Sequence, residues 1–207
     1  MAGITVEGHV VQTLVGHHPP VTLRDKQESP DGAYLVSTPQ ATVRAQLEGI
    51  EGDRHAGWTR KADARVPFYP RGTVIRNTRQ VSLVSVEELA AMAVLLGLPT
   101  VKPSWIGANL AIADVPRFSC LPPMTRFFFP DTCVLVLEGE NHPCVFPGKA
   151  LQAANPGIPG LVKNFPKAAH HRRGLVAWVE RAGTIRSGDS VRIVIPEQCA
   201  YALPETL

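Results

Sequence analysis

Apolar residues recur at alternate positions between Gly174 and Ile195, and this pattern restricts the fold more than any other in the sequence. Two turn signals, Gly183 and the triplet Ser187-Gly188-Asp189, divide the segment into three short runs. The alternating apolar positions are Leu175, Ala177, Val179, Ile185, Val191, Ile193 and Ile195. A period of two places every second side chain on one face of a strand, so the segment predicts a meander of short strands, as expected in a β-barrel.

Prolines and glycines, 19 and 17 in number, divide the rest of the 207 residues into short segments as well. Such punctuation favours a β-rich fold over a helical bundle. Strand-like spacing occurs at residues 4–15 and 40–49, and residues 127–137 predict two buried strand pieces separated at Pro130-Asp131. Residues 58–78 are rich in Arg, Lys, Pro and Gly, and they predict a long loop over the surface or over a site.

One helix is marked at both ends. The segment Ser85-Val-Glu-Glu88 has the pattern of a capping box, in which Ser85 accepts from the Glu88 amide and Glu88 bonds back to the Ser85 amide. Gly97, followed by Pro99, is expected to end the helix. Its apolar face consists of Leu89, Met92, Ala93 and Leu96. With a second helical segment from about Gly148 to Asn155, the predicted fold class is mainly β with a few helices.

Length and composition predict one globular domain spanning residues 1–207. The net charge of +3 suits an anionic small molecule, and the sequence has no block of basic residues that would predict nucleic-acid binding. No apolar stretch reaches the roughly 20 residues of a membrane span, and the N-terminus lacks the pattern of a secretory signal. Four cysteines without a CxxC pair predict reduced thiols and a cytoplasmic location.

Three polar segments could contact a ligand or could be ordinary turns. In residues 51–57, Arg54 could bind phosphate or carboxylate and His55 lies beside it, but the segment also fits a polar turn with an internal Asp53–Arg54 pair. Arg79 could face solvent or an anion. Asn109 could bond to the backbone of its own turn or to a polar ligand.

Cys144 is the most reactive candidate. It ends the segment EGENHPC, which follows an apolar run, residues 133–137, predicted to be a buried strand. A neighbouring cation such as protonated His142 stabilises a thiolate, the form that attacks sulfur or ligates a metal. The alternative is a small buried side chain, as predicted for Cys133. Cys120 and Cys199 have no activating neighbours in the sequence.

A basic segment, residues 163–173, precedes the last strands. It could be a solvated face or an anion-binding wall that includes Arg173. His170 and His171 are adjacent, and no third ligand has a spacing that predicts zinc.

Taken in order, these segments resemble the MOSC domain, the module named after the C-terminal part of molybdenum cofactor sulfurases. The matching pieces extend from about residue 50 to 195 and are Gly52-Asp-Arg-His-Ala-Gly57, Arg79-Gln-Val-Ser-Leu83, Ile106-Gly-Ala-Asn-Leu110, His142-Pro-Cys144, Arg173-Gly-Leu-Val-Ala-Trp178 and Gly183-Thr-Ile-Arg-Ser-Gly-Asp-Ser-Val191. The family commonly has Glu where this chain has Ala108, so any role of that carboxylate in orienting a ligand is absent here or passes to another residue.

The resemblance implies a MOSC-type β-barrel that binds molybdenum cofactor (molybdopterin) or a sulfur species destined for it. It implies that Cys144 and His142 are the catalytic residues and that Cys144 is the molybdenum ligand. The cofactor-binding residues implied by the resemblance are Arg54, His55, Arg79, Asn109 and Arg173.

Three functions follow from the resemblance as expectations. The first is a small molybdoenzyme with a redox partner, such as one reducing N-hydroxylated compounds, or a cofactor carrier. The second is a sulfur carrier that accepts a persulfide on Cys144 from a cysteine desulfurase. The third is a non-catalytic anion-binding module. Pyridoxal phosphate would act only through a separate desulfurase, because the chain is too short to include that domain.

Overall fold

The computed structural model describes residues 3–17 and 35–199, and its main feature is a closed β-barrel. The strands, numbered in chain order, are β1 (Ile4–Val15), β2 (Thr38–Gln40), β3 (Thr42–Gln46), β4 (Gly49–Ile50), β5 (Thr59–Lys61), β6 (Val74–Arg76), β7 (Val81–Ser85), β8 (Leu110–Ala113), β9 (Arg126–Phe128), β10 (Val134–Glu140), β11 (Leu175–Arg181), β12 (Gly183–Arg186) and β13 (Ser190–Ile195). In the described ranges, the barrel order is β1-β8-β7-β11-β10-β9-β13, and β13 pairs back onto β1. Within this ring, β7 and β8 are parallel and the other pairs are antiparallel.

The interior of the barrel is filled by the side chains that alternation predicted. Leu175, Ala177, Val179, Ile185, Val191 and Ile193 all belong to one buried apolar cluster, and Ile195 packs against it. Large side chains such as Phe118, Phe127 and Leu135 are completely buried in the same cluster. The predicted fold class, mainly β with a barrel and a few helices, is therefore confirmed.

Helices cover part of the outside of the barrel. They are α1 (Val86–Leu96), α2 (Val145–Ala154) and α3 (Leu161–Ala168), and there are 3-10 turns at Pro103–Ile106 and Phe118–Cys120. A second buried cluster, which includes Met92, Leu151 and Phe165, joins the helices to the barrel wall. Gly148 allows α2 to lie close to α3, because a Cβ there would be 2.7 Å from the Val162 Cα.

The predicted helix α1 is confirmed, but only half of its capping box forms. Ser85 Oγ accepts from the Glu88 amide at 3.2 Å, and Gly97 ends the helix in the left-handed conformation with φ 65°. The four predicted apolar residues are buried. The reciprocal bond was predicted wrongly, because Ser85 is the last residue of β7 and the Glu88 carboxylate accepts instead from the Ser119 amide and hydroxyl.

Three other segments differ from their predictions. The second helix begins at Val145 rather than near Gly148, because Pro147 stands in the first turn, where helical amides need no intrahelical acceptor. Residues 40–49 are not one strand but contain the end of β2, all of β3 and the first residue of β4. Residues 58–78 contain the β5–β6 hairpin in addition to a loop. Within the described ranges, none of the helices has both the length and the apolar character needed to span a membrane.

Candidate functional site

The candidate site lies against the outer face of the barrel wall formed by β7 and β11. Val81 and Leu83 of β7 belong to the barrel core, so alternation directs Ser82 outward. The side chain of Asn141, from the segment after β10, reaches across to Ser82, with 3.5 Å between Nδ2 and Oγ. The segment that carries Cys144 therefore passes over this part of the wall.

Asn141 connects the segment before Cys144 to Arg79 and to the residue that follows Arg173. Its backbone amide donates to the Gly174 carbonyl at 2.8 Å, and its Oδ1 accepts from Arg79 Nη2 at 3.1 Å. Arg79, which precedes β7, and Arg173, which precedes β11, are thereby held near a segment that reaches Cys144 three residues later. Three of the predicted site residues, Arg79, Cys144 and Arg173, are thus brought together.

Cys144 is half-buried and is the N-cap residue of α2, with an extended backbone of φ −142° and ψ 174°. The first amides of a helix have no intrahelical acceptors, and the helix dipole favours negative charge at this end. This end of the helix therefore suits an anion bound beside Cys144.

Arg173 is a buried cation with an open hydrogen-bond donor. Its residue is only 6% exposed, and Nη2 donates to the Ile106 carbonyl at 2.5 Å. Nη1 is buried and has no hydrogen-bond partner among the described residues. Burial lowers the pKa of Arg173 to about 10, the charge of Cys144 opposes this fall, and the charge of Arg65 adds to it. The guanidinium stays protonated at neutral pH and has one donor available to an anion.

Arg79 is the second guanidinium of this site, and it is half-buried. Burial lowers its pKa to about 10, the charges of Arg65 and Arg60 lower it further, and Asp63 and Glu138 oppose them. Arg65 belongs to the exposed loop between β5 and β6, where its Nη1 lies 2.7 Å from Asp63 Oδ2. The charge of Arg65 lowers the pKa of both Arg79 and Arg173, so we group Arg65 with them. We call Arg65, Arg79, Asn141, Cys144 and Arg173 the arginine site.

Asp53 is the centre of a second polar group. Its carboxylate accepts from the Gly16 amide at 2.8 Å, from the His55 amide and Nδ1 at 2.8 and 2.9 Å, and from Asn109 Nδ2 at 2.7 Å. Burial raises the pKa of Asp53, but hydrogen bonds to His55, the charge of His55 and the Gly16 amide outweigh it and lower the pKa to about 2. Asp53 is therefore an ionised, fully bonded carboxylate.

Asn109 connects Asp53 to the barrel wall. It is completely buried, and its Nδ2 also lies 3.3 Å from the Leu14 carbonyl, while Oδ1 accepts from the Ser82 amide at 2.9 Å. The sequence left open whether Asn109 bonds to backbone or to a ligand, and in the structure its amide is engaged by protein groups. It stands behind the wall on which the arginine site lies.

Two buried amides that the sequence analysis missed complete this second group. Asn77 donates to the carbonyls of His55 and Gly57 and accepts from the Arg79 amide at 3.1 Å. Gln80 donates to the carbonyls of Leu47 and Gly57, and accepts from the Val179 amide. In the sequence, these two residues are marked only by being polar and close to Arg79: Asn77 lies two positions before it, and Gln80 follows it directly. We call Asp53, His55, Asn77, Gln80 and Asn109 the Asp53 network. Through Asn77, this network accepts a hydrogen bond from the Arg79 backbone amide.

The other predicted residues lie around these two groups. Arg54 donates to the Leu35 carbonyl at 2.7 Å, and its guanidinium lies so close to Gly16 that a Cβ there would be 2.6 Å from Cζ. The ring of His55 is part of the Asp53 network, and His142 is exposed. Of the basic side chains in residues 163–173, Arg173 alone is buried, whereas His171 is exposed and pairs with Glu140 at 2.9 Å.

The donor set determines what this site can bind. Among the described residues, no three His, Cys, Asp or Glu side chains form a group that could hold a metal ion. One cysteine sulfur with one buried and one half-buried guanidinium group suits a ligand that combines a thiophilic atom with an anionic group.

Comparison with known proteins agrees with the geometry. Residues 52–192 match the MOSC domain family. The chain is 39% identical over 170 residues to the protein YuaD of Bacillus subtilis, an alignment that covers 79% of this chain and 88% of YuaD. The name of YuaD assigns it provisionally to metal-sulfur cluster biosynthesis.

Solved structures show the same fold. The crystal structure of Bacillus subtilis YuaD superposes with a TM-score of 0.84 at 33% identity, covering 94% of this chain and 100% of that one. YiiM from Geobacillus stearothermophilus superposes with a TM-score of 0.56 at 14% identity, covering 92% of this chain and 75% of that one. YiiM from Escherichia coli gives 0.53 at 10% identity, covering 92% and 72%. The two YiiM structures share the fold with this chain.

Proposed function

Because the chain belongs to the MOSC domain family, we propose that it carries sulfur on Cys144 for the assembly of a metal-sulfur cofactor. One observation carries the proposal: the open Nη1 donor of the buried Arg173 next to the Cys144 thiol. A persulfide bears its negative charge on a sulfur atom one bond beyond Cys144 Sγ. A buried guanidinium with a free donor can bind that charge.

The reaction requires only a thiolate and a sulfane-sulfur donor. Cys144 Sγ attacks the terminal sulfur of a persulfide on a cysteine desulfurase. A new S–S bond forms as the donor's S–S bond breaks, and the donor cysteine leaves as a thiolate with the bonding electrons. The N-terminus of α2 stabilises the attacking thiolate, and Arg79 and Arg173 stabilise the new persulfide. Pyridoxal phosphate belongs to the desulfurase in this scheme.

The test is the mass of the intact protein after incubation with a cysteine desulfurase and cysteine. Wild type should gain one sulfur atom, located on Cys144 by peptide mapping, and Cys144→Ser should gain none. Cys120→Ser is the matched control, because Cys120 is exposed and should not affect loading. Loading that persists in Cys144→Ser, or that disappears in Cys120→Ser, would contradict the proposal.

Molybdenum cofactor binding is the second candidate, supported by the combination of one cysteine sulfur with the guanidinium groups of the half-buried Arg79 and the buried Arg173. The residues present fit such a group: Cys144 would ligate molybdenum, and Arg79 and Arg173 would hold the anionic phosphate of the pterin. When bound, the cofactor supplies redox chemistry, such as the reduction of N-hydroxylated compounds with electrons from a partner. Asn141 orients Arg79, and α2 places the thiol.

Elemental and pterin analysis separates the two candidates. Protein purified from molybdate-fed cells should contain molybdenum and oxidisable pterin if the second candidate is right, and Cys144→Ala should lose both. Metal-free wild type that still accepts sulfur from the desulfurase would reject this candidate and retain the first.

A further inference from the structure

We propose that a small sulfur oxyanion of the thiosulfate type is a further sulfur donor for Cys144, bound through its oxyanion end by Arg65, Arg79 and Arg173. This inference rests on the proposed sulfur-carrier function and names the class of its substrate. In this inference, the three guanidinium groups bind the thiosulfate-type donor and then stabilise the sulfite that leaves.

Charge balance is the first argument. Among the described residues, the hydrogen-bond acceptors of the half-buried Arg79 and the buried Arg173 are neutral: the Asn141 amide oxygen for Arg79 and the Ile106 carbonyl for Arg173. Burying a cation without a counter-charge is costly. Asp63 and Glu138 act on Arg79, but Arg60 and Arg65 act against them, and the negative charge that acts on Arg173 is that of Cys144. One thiolate or one persulfide at Cys144 therefore leaves a net positive charge in this region. A dianionic ligand compensates this charge.

Geometry is the second argument. A guanidinium presents a planar set of donors that suits the oxygens of an oxyanion. Arg173 Nη1 is buried, has no partner in the described part of the chain, and belongs to a side chain that senses the charge of Cys144. Arg65, which is exposed and pairs with Asp63, acts through its charge on both Arg79 and Arg173, so it can meet an entering anion first. An anion among the three guanidinium groups therefore lies next to the thiol.

The transfer balances without any further reactant. Cys144 Sγ, as a thiolate, attacks the outer sulfur of thiosulfate. The Sγ–S bond forms while the S–S bond of thiosulfate breaks, and sulfite leaves with the bonding electron pair. The total charge is −3 on both sides, and no external oxidant or reductant is consumed. Negative charge grows on the sulfite oxygens as the bond breaks, where guanidinium donors are most effective.

The experiment measures sulfite release and the intact mass after reduced protein is mixed with thiosulfate. Wild type should release one sulfite for each sulfur atom gained on Cys144, and Cys144→Ser should release none. Arg65→Gln should lower the second-order rate roughly threefold to tenfold at low salt, because it removes one exposed charge near the anion. Arg71→Gln is the matched control, since Arg71 is exposed on the same loop, and it should stay within about twofold.

A binding measurement separates recognition from chemistry. Thiosulfate should raise the melting temperature of Cys144→Ser, and the rise should be smaller when Arg65→Gln is added to that variant. Arg65 is preferred over Arg79 or Arg173 for substitution, because replacing a buried arginine could unfold the protein.

The outcomes distinguish this inference from the function on which it rests. Sulfur loading of Cys144 by a desulfurase with cysteine, but not by thiosulfate, would overturn the oxyanion donor and retain the carrier function. Failure of both donors would reject both proposals. Equal thiosulfate rates for Arg65→Gln and Arg71→Gln would overturn the assigned role of Arg65.

Discussion

Asp53 Oδ2 and Asn109 Nδ2 lie 2.7 Å apart, although 56 positions separate the two residues in the chain. The bond joins the turn after β4 to the turn before β8, and Asn109 passes the connection on to β7 through the Ser82 amide. Two motifs that look independent in the sequence are thus one structural unit behind the arginine site.

Replacement of Asp53 by Asn should destabilise the protein. The Asp53 carboxylate accepts from several donors, including the Asn109 amide, and the NH₂ group of an introduced asparagine would face some of these donors with a donor of its own. We expect a loss of about 2–4 kcal/mol in the free energy of unfolding measured with urea. Glu51→Gln, an exposed change of the same type nearby, should stay within about 0.5 kcal/mol. Equal effects of the two changes would contradict the role given to Asp53.

The lowered pKa of Asp53 predicts a specific loss of stability in acid. Its pKa is about 2 in the folded protein and 3.8 in its ordinary environment, so ionised Asp53 stabilises the folded state. This contribution, about 2 kcal/mol, is complete above about pH 5 and is lost as the pH falls through 3.8 towards 2. The unfolding free energy of Asp53→Asn, measured from about pH 5 to about pH 2, should fall less steeply than that of wild type. Parallel curves would show that Asp53 is not the responsible group.

Gly174→Ala should be far more damaging than Gly188→Ala. Both glycines have positive φ, 90° and 93°, so both replacements carry a backbone penalty of about 1 kcal/mol. A Cβ at Gly174 would also collide with the Leu83 carbonyl oxygen, whereas a Cβ at Gly188 meets nothing within 4 Å. We expect the unfolding free energy to fall by more than about 3 kcal/mol for Gly174→Ala and by about 1 kcal/mol for Gly188→Ala. Similar losses would show that the collision is relieved by a small backbone shift.

Cys133 should be inert in the folded protein. It is completely buried in the barrel core, and burial, with a smaller effect from Asp131, raises the pKa of its thiol to about 12. At about pH 8, iodoacetamide should label the exposed Cys120 and Cys199 in native protein and should label Cys133 only after unfolding. Peptide mass spectrometry measures each site, and native labelling of Cys133 at the rate of Cys120 would contradict the assignment.

The elements that sequence predicted well are those whose signals are local. Helix α1 has its cap, its apolar face and its terminating glycine within a few residues of one another, and all three are confirmed. The partner of Glu88 was predicted wrongly because Ser119 lies 31 positions away, and no local pattern indicates that tertiary contact. Alternation in β11 and β13 identified the strands, but barrel closure depends on long-range pairing.

In the arginine site too, the sequence indicated the residues that lie in recognisable motifs, and it did not indicate those that join through long-range contacts. Cys144, Arg79 and Arg173 were candidates from the sequence because each lies in a MOSC-like motif, and the structure brings them together. Asn141, which joins Arg79 to the segment before Cys144, carries no signal beyond its place in EGENHPC. The sequence analysis gave no role to Arg65, because it lies in a segment that was described only by its composition. Its effect on Arg79 and Arg173 depends on tertiary structure, which no local pattern indicates.

Pairing of β1 with β13, from Ile4 with Ile195 to His9 with Ser190, makes the first and last described strands neighbours. During synthesis, the barrel therefore cannot close at β1 until β13 has left the ribosome. Until then, β1 and β9 each lack one neighbour, and unpaired strand edges are templates for wrong pairing. Closure consequently depends on β13, and truncation even a few residues into β13 should yield chains that aggregate rather than a smaller folded protein.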